Sequence, residues 1–372
     1  LANSHNIINR SQLAKSIEQE ENQDKVEQIK AEMTDLNSGK QLVGEVIADE
    51  TLWACTTCRA CEEVCPVTIE HVPRIIAMRQ GQTLMAEAYP RELNPALKGL
   101  ERNGNPWGIG YDKRADWAEG LGVKLMMEDA NVDYLFWVGC AGSFDDRSKK
   151  VSKSVVKILQ LAGVSFAILG TEEKCTGDFA RRVGNEMLYQ MMAQENIETL
   201  NQYKVKKIIT ACPHCLTTLK HEYPQMGGHY QVVHHTEFIQ QLVQEGKLTL
   251  NRALAGSLTF HDPCYLGRYN EVFREPRSLL NAISSQGVSE LERNSRESFC
   301  CGAGGGRMWM EETIGKRINL ERTEEIMRSG AENVAVACPF CLTMLEDGMK
   351  ELGKEDDIKT KDIAELVAVH LA

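Results

Sequence analysis

The segment Ala211–Leu219, with the sequence ACPHCLTTL, recurs 126 residues later as Ala337–Leu345, with the sequence ACPFCLTML. Two further cysteines, Cys140 and Cys264, precede the two segments and are themselves 124 residues apart. Self-similarity at a nearly constant offset indicates two copies of one structural unit. We therefore expect two homologous modules that are stacked or related by a pseudo-twofold axis.

Short apolar segments alternate with helix-like segments in the first copy. Residues 133–138 (DYLFWV) and 165–169 are typical of buried strands, and residues 149–162 and 180–200 are typical of helices. Further strands are predicted at 207–210, 257–260 and 333–337. Alternating strands and helices predict a parallel α/β layer. The cysteines follow the strand ends, where open α/β sheets place their sites.

Each copy carries its own cysteine set. The first contains Cys140, Cys175, Cys212 and Cys215, and the second contains Cys264, Cys300, Cys301, Cys338 and Cys341. Thr176 stands in the first copy where the second has the second of two adjacent cysteines. Four thiolates suffice for a cubane cluster, although they also suit zinc. Five thiolates indicate an unusual cluster with more iron–thiolate bonds, or a cube and one free thiol.

A third constellation lies upstream, with the spacing Cys55-x-x-Cys58-x-x-Cys61-x-x-x-Cys65 followed by Pro66. This is the bacterial ferredoxin run, whereas a zinc site would more often show two separated pairs. In two-cluster ferredoxins the fourth cysteine ligates the other cluster, so Cys65 belongs either to its own cluster or to one outside this chain. The three constellations account for all 13 cysteines, which disfavours buried structural thiols.

The length of 372 residues predicts two or three cores. We predict a polar helical segment over 1–48, a ferredoxin-type helical domain and linker over 49–130, a first cysteine-rich module over 131–250 and a second over 251–372. A loop is expected near residues 37–39. Because the chain begins at Leu1 rather than Met and has a single ferredoxin run, we expect a second run upstream of it.

Composition limits the class of protein. A net charge of −11 argues against a nucleic-acid partner, because phosphate binding needs a basic face. The sequence has no run of eighteen apolar residues that could span a bilayer. In the reducing cytoplasm, many cysteines indicate metal ligands rather than disulfides.

Glycines, arginines and histidines near the cysteines are secondary candidates. We expect Gly302, Gly304 and Gly305 to let the backbone approach a cluster and donate amide hydrogen bonds. Arg268 and Arg307 either offset the charge of a cluster or form surface salt bridges. Four histidines are candidate proton donors: His214, His234, His235 and His261. Ordinary packing or hydrogen bonding is the favoured role, and His261 is the best exception.

The five-cysteine pattern of the second copy resembles the cysteine-rich CCG domain of heterodisulfide reductase catalytic subunits. Its combination with a ferredoxin run is similar to the iron–sulfur subunits of glycolate, lactate and glycerol-3-phosphate oxidases. The closest resemblance is to the bacterial membrane-associated electron-transfer-flavoprotein:quinone oxidoreductases, and it extends from about residue 45. It is carried by four segments: Cys175–Asp178, His234–Glu237, His261–Cys264 and Cys301–Trp309.

This resemblance implies an α/β fold class, with a helical ferredoxin-type cluster domain followed by two repeated α/β CCG modules. Members usually carry two ferredoxin runs and carry or pair with a haem-b membrane domain. The resemblance implies [4Fe-4S] clusters, together with a haem b or a further cluster in a missing or partner segment. It also implies a non-cubane cluster on the five cysteines of the second copy. This implication does not carry over cleanly to the first copy, because Thr176 stands there in place of a cysteine.

The leading functional hypothesis is an oxidoreductase that relays electrons from a reduced flavoprotein toward a membrane quinone. Its expected partners are an electron-transferring flavoprotein or another flavoprotein dehydrogenase and a quinone-reducing membrane domain. The expected location is the cytoplasm, at the inner face of the membrane. Three alternatives remain: disulfide or heterodisulfide reduction at the five-cysteine site, an iron–sulfur subunit of a 2-hydroxy-acid oxidase, and a non-catalytic zinc or redox-sensing protein.

Overall fold

The computed structural model describes residues 23–37 and 41–371, without the side chains of 31–37. The chain divides into a first unit that ends at Ala54 and a second unit that begins at Cys55. Helices of the first unit span Gln23–Asn37 and Asp49–Ala54. The expected loop near 37–39 falls mostly on residues outside those described.

The second unit opens with the ferredoxin run, which leads into the helices Ala60–Glu63 and His71–Gln80. The second of these helices continues beyond Gln80 as a π-helical turn, Gly81–Met85. A helix that the sequence did not indicate, Asn94–Asn103, lies in the following stretch rich in glycine and proline. Its proline is in the first turn, where no amide donor is needed, and a left-handed Gly104 ends it.

The first cysteine-rich module is built on a parallel sheet with the strand order β1-β3-β2-β4-β5. Its strands are β1 (Lys124–Leu125), β2 (Tyr134–Trp137), β3 (Phe166–Ile168), β4 (Lys207–Thr210) and β5 (Gln231–His234). Its helices span Gly139–Phe144, Asp146–Leu161, Asp178–Arg182, Glu186–Gln202, Pro213–Thr217 and His235–Gln244. The central strands are fully buried at their carboxyl ends, as a parallel sheet covered on both faces requires.

The second module repeats this plan with the strand order β7-β6-β8-β9, again all parallel. Its strands are β6 (Leu258–Phe260), β7 (Val288–Ser289), β8 (Asn333–Val336) and β9 (Lys359–Asp362). Its helices span Cys264–Asn270, Arg274–Ile283, Ile318–Arg328, Pro339–Glu351 and Ile363–Val369. The order matches β3-β2-β4-β5 of the first module, so the predicted fold class of two repeated α/β modules is confirmed. The four segment boundaries proposed from the sequence remain predictions.

Contacts between equivalent ends of the two sheets join the modules. His235 follows β5, and its Nε2 lies 3.0 Å from Oδ1 of Asp362 at the end of β9. Both side chains are buried. Arg147 of the first module donates to both carboxylate oxygens of Glu365 at 2.8 Å and to Glu346 at 2.5 Å. These bonds fix the two modules against each other, as the repeat led us to expect.

Among the described residues, no helix combines the length and the apolar character needed to cross a membrane.

Candidate metal centres

The ferredoxin-type loop, Cys55–Cys65, curls because Thr57 and Arg59 adopt left-handed backbone conformations with φ of 53° and 63°. The amide of Thr57 donates to Sγ of Cys55 at 3.4 Å. Burial raises the pKa of Cys61, and the charges of Cys55 and Cys58 raise it further, because like charges disfavour a second thiolate. The structure therefore brings the first three cysteines of the run together.

Cys65 has different surroundings from the other three. The amide of Ile69 donates to its Sγ at 3.3 Å. This bond, with those from the amides of Val67 and Thr68, lowers the pKa of Cys65 and favours the thiolate. Its Sγ thus accepts hydrogen bonds from several main-chain amides. The choice between its own cluster and another remains a prediction.

The first-module site contains Cys140, Cys175, Cys212 and Cys215. Cys140 and Cys175 shift each other's pKa, as do Cys212 and Cys215, and the charges of Cys140 and Cys215 interact. Gly139 has a φ of 76°, and a Cβ at this position would lie 3.3 Å from Sγ of Cys215. The four thiols predicted from the sequence do converge, and their donor chemistry fits a cubane cluster.

An ion pair that the sequence gave no reason to single out lies beside this site. Nη2 of Arg114 donates to Oε1 of Glu173 at 2.6 Å, and both side chains are 2% exposed. The same nitrogen lies 3.6 Å from Sγ of Cys140. Glu173 also accepts from the amides of Val138 and Gly139 at 3.0 and 2.8 Å. The pair therefore holds the turn after β2 and places a positive charge next to a candidate ligand.

The second-module site contains Cys264, Cys300, Cys301, Cys338 and Cys341, all of which are buried. Cys264 begins one helix and Cys338 caps another, because each follows a central strand, β6 or β8. The Sγ atoms of Cys341 and Cys301 are 3.3 Å apart. Cys300 raises the pKa of Cys264, so these two thiols interact as well. The five predicted thiols share one site.

The electrostatics of this site favour the thiolate at some positions. Burial by itself raises the pKa of Cys338, but the hydrogen bond from Cys341 and the charge of His214 together lower it to about 7. Hydrogen bonds from Cys300 and Cys341 lower the pKa of Cys301. Because iron binds the thiolate form, these shifts suit a metal site.

His261 borders the same site. One of its ring nitrogens lies within 4.8 Å of the sulfurs of Cys301 and Cys341. Burial and the charge of Arg322 lower the pKa of His261 to about 3, so the ring is neutral. Arg322 donates to Nδ1 at 3.0 Å, which places the ring proton on Nε2. That Nε2 is buried and has no hydrogen-bond partner among the described residues, so it can donate to a bound group.

The other three candidate histidines have structural partners. His234 caps the helix that begins at His235, and burial lowers its pKa. Nδ1 of His214 lies 2.9 Å from Oδ2 of Asp178. The His214 ring stacks on Tyr265 with centroids 3.9 Å apart. Hydrogen bonding and packing are therefore the observed roles of these side chains.

The glycine-rich loop contacts the ferredoxin-type loop as well as its own cysteines. The amide of Gly302 donates to Sγ of Cys300 at 3.3 Å. A Cβ at Gly304 would lie 2.2 Å from the carbonyl oxygen of Thr56, so this glycine allows two backbones to touch. Arg307 pairs with Glu312 at 3.6 Å.

We expect Gly304→Ala to lower the free energy of unfolding by roughly 1–3 kcal/mol, because the new methyl group would overlap the carbonyl of Thr56. The matched control is Gly81→Ala, where a Cβ would meet no atom within 4 Å. Anaerobic denaturant unfolding of the two variants measures the difference. Equal stability of the two variants would contradict the close approach.

The three cysteine sets interact with one another in a fixed order. The thiol of Cys300 in the second-module site raises the pKa of Cys58 in the ferredoxin-type loop. The thiol of Cys300 also lies 3.4 Å from Oγ1 of Thr56. Between the two modules, the charges of Cys212 and Cys338 interact, and these cysteines occupy equivalent positions in the two copies. The second-module site therefore lies between the other two in the sequence of contacts.

A cavity of about 60 Å³ separates the two modules beside the first-module cysteines. Its walls include Cys140 and Cys215 on one side and Gly304, Trp309 and Phe340 on the other. Most of the exposed lining is apolar. A cavity of this size has room for several water-sized groups.

Comparison with known families supports the assignment of three cysteine sites. A model described as cysteine-rich domain, CCG, matches residues 134–220 and again residues 258–346. A model described as 4Fe-4S dicluster domain matches residues 6–69. Together with the converging thiols, these matches assign iron–sulfur clusters as the cofactors.

Curated relatives resemble nearly the whole chain. EtfAB:quinone oxidoreductase of Syntrophomonas wolfei is 48% identical over 88% of this chain and 48% of its own length. A probable iron-sulfur-binding oxidoreductase, FadF, of Bacillus subtilis is 47% identical over 90% of this chain and 48% of its own length. The chain thus spans about half the length of these two relatives.

A third relative is covered more completely. One component of the dihydromethanophenazine:CoB--CoM heterodisulfide reductase of Methanosarcina barkeri is 30% identical over 84% of this chain and 76% of its own length. The chain belongs to the family of iron–sulfur oxidoreductases with cysteine-rich CCG domains that includes this heterodisulfide reductase component.

Proposed function

We propose that this chain relays electrons, one at a time, from a reduced electron-transferring flavoprotein toward a membrane quinone. The observation that carries the proposal is that the second-module site adjoins both of the others. Cys300 lies 3.4 Å from Oγ1 of Thr56 in the ferredoxin-type loop, and the charge of Cys338 interacts with that of Cys212. Iron–sulfur clusters supply one-electron transfer when they are bound. The name of the Syntrophomonas wolfei relative, EtfAB:quinone oxidoreductase, supports both the donor and the acceptor.

The exposure of the cysteines favours the ferredoxin-type loop as one terminus of the relay. Of the thirteen cysteines, all of which are described, Cys61 alone is exposed, and the five of the second module are buried. A buried site exchanges electrons with an outside partner more slowly than an exposed one, because the partner cannot approach it. The flavoprotein therefore docks where Cys61 reaches the surface.

The residues around the buried sites hold the ligands in place and exclude water. The first-module cysteines bind a cubane cluster, next to the positive charge of Arg114. The five thiols of the second module, one more than a cube needs, would hold a non-cubane cluster, as membership of the CCG family implies. The catalytic role belongs to this second-module set: Cys264, Cys300, Cys301, Cys338 and Cys341.

The quinone partner places the working protein at the inner face of the cell membrane. Because a quinone resides in the bilayer, its reduction requires a membrane domain or subunit, and a haem b there is consistent with such a partner. The segment or subunit that carries this domain also carries any further [4Fe-4S] cluster, for which Cys65 is a candidate ligand.

Disulfide reduction at the five-cysteine site is the second candidate, favoured by the buried Nε2 of His261, which can donate to a group bound beside Cys301 and Cys341. A disulfide bound there would take up two electrons and two protons and leave as two thiols. The relative from Methanosarcina barkeri, named as part of a heterodisulfide reductase, supports this chemistry. An oxidase subunit for a 2-hydroxy acid would differ from the relay only in its flavoprotein donor.

Anaerobic mixing distinguishes these candidates. Fully reduced electron-transferring flavoprotein should bleach the visible absorbance of the oxidised chain, whereas a reduced 2-hydroxy-acid dehydrogenase flavoprotein should not. If a small disulfide reoxidised the chemically reduced chain and the electron-transferring flavoprotein left the oxidised chain unchanged, the relay proposal would be wrong. Bleaching by the 2-hydroxy-acid flavoprotein alone would favour the oxidase subunit.

A further inference from the structure

Arg79 joins three cluster-bearing segments. It lies on the helix His71–Gln80, and its side chain is completely buried. Three of its hydrogen bonds go to main-chain carbonyls: Cys55 at 2.7 Å, Gly305 at 2.9 Å and Arg182 at 3.0 Å. These carbonyls belong to the ferredoxin-type loop, the glycine-rich loop of the second module and the first module.

Arg268 of the second module binds the main chain of the next cysteine in the ferredoxin run, Cys58. It lies on the helix that begins with the candidate ligand Cys264, and only 6% of it is exposed. Its Nε donates to the carbonyl of Cys58 at 2.7 Å, and its Nη1 donates to the carbonyl of Ser298 at 2.9 Å. Its buried Nη2 has no hydrogen-bond partner among the described residues.

Neighbouring tyrosines reinforce this contact. The hydroxyl of Tyr269 donates to the carbonyl of Thr57 at 2.7 Å, and the hydroxyl of Tyr265 lies 2.8 Å from Oγ1 of Thr57. Three carbonyls of the loop, those of Cys55, Thr57 and Cys58, therefore accept hydrogen bonds from side chains outside it. A loop held at so many points keeps a fixed distance from the second-module site.

We infer that Arg79 and Arg268 form a two-arginine clamp, which holds the ferredoxin-type loop against the second-module site and raises the reduction potential of the cluster bound by the loop. Burying a guanidinium ion is costly unless negative charge lies nearby, and thiolates with reduced iron supply such charge. A positive charge in a water-poor environment stabilises the reduced, more negative state of a cluster. Both arginines are thus positioning residues, since they act on the cluster through its ligands.

The charge of Arg79 persists at neutral pH. An arginine side chain stays protonated in proteins, because its guanidinium group delocalises the positive charge. The guanidinium therefore remains protonated in the folded protein. The consequence for the relay is that the clamp holds an electron at the ferredoxin-type end until the second-module site accepts it.

The experiment compares the intact chain, loaded with its clusters, with the variants Arg79→Gln, Arg79→Lys and Arg268→Gln. The control is Arg147→Gln, because Arg147 also bridges two segments but binds Glu346 and Glu365. Each protein is titrated anaerobically with dithionite and mediators, and electron paramagnetic resonance monitors each cluster. We expect the one-electron equilibrium constant of the ferredoxin-type cluster to fall about tenfold, or 59 mV, in both glutamine variants.

Arg79→Lys keeps the charge but cannot donate to three carbonyls in the same geometry. It should retain most of the potential, while the magnetic interaction between the ferredoxin-type and second-module clusters weakens. If Arg79→Gln loses the ferredoxin-type iron and Arg79→Lys restores it, the clamp is supported. Unshifted potentials in both Arg268→Gln and Arg79→Gln would overturn the inference. If Arg79→Gln loses its ferredoxin-type iron, an unshifted potential in Arg268→Gln together with iron loss that Arg79→Lys does not restore would overturn it as well. The flavoprotein is not used, so a failure of the proposed relay would leave this result unaffected.

Discussion

Replacing Cys300 by alanine should remove the second-module cluster and break the electron path. Cys264 and Cys301 within its site and Cys58 of the ferredoxin-type loop all shift the pKa of Cys300, and its Sγ lies 3.4 Å from Oγ1 of Thr56 in that loop. We expect the variant to lose about a third of its iron and acid-labile sulfide, which is the share of one four-iron cluster among three. Electron transfer to the first-module cluster should become at least tenfold slower.

The matched control for this variant is Thr176→Ala, at the position of the first module equivalent to Cys301. Thr176 is buried but supplies no thiolate. The control should keep its full iron content and its transfer rate. A Cys300→Ala protein with full iron and unaltered transfer would show that Cys300 is neither a ligand nor part of the path.

Replacing Glu173 by alanine should cost about 3–5 kcal/mol of the free energy of unfolding, because it leaves Arg114 buried without its carboxylate. The amides of Val138 and Gly139 would lose their acceptor as well. Since those residues lead into Cys140, the first-module cluster should also become easier to extract with a chelator. Anaerobic denaturant unfolding and iron release measure the two effects.

Glu195 provides the control for the buried pair. It binds Lys174 at 2.7 Å, with both side chains 45% exposed, so Glu195→Ala should cost less than about 1 kcal/mol. The double variant of Glu173 and Arg114 to alanine should recover part of the loss, because no unpaired charge would remain. If Glu173→Ala were no less stable than Glu195→Ala, the buried ion pair would not hold this site together.

The repeat and the three cysteine sets could be predicted from the sequence because thiols and buried strands leave local signals. The strand predicted at 207–210 has the same bounds in the structure. The four edge strands, β1, β5, β7 and β9, were not predicted. The sequence of β9, KTKD, has no apolar residue, and its burial depends on pairing with β8. These segments form strands because they pair with neighbouring strands, and their own sequences do not indicate it.

The contacts between sites could not be predicted, because they depend on side chains far apart in the chain. Nothing local distinguishes Arg79 or Arg114 from a surface arginine. Their partners lie in other segments, such as Gly305 for Arg79 and Glu173 for Arg114. The glycine run does predict a close approach of the backbone. Its closest neighbour is the backbone of Thr56, which the sequence did not indicate.

Rapid-freeze electron paramagnetic resonance tests the relay most directly. Reduced electron-transferring flavoprotein is mixed anaerobically with the oxidised chain, and the samples are frozen at increasing times. The order of contacts predicts that the ferredoxin-type signal appears first, the second-module signal next and the first-module signal last. Clusters that all stay oxidised, or a first-module signal that precedes the other two, would contradict it.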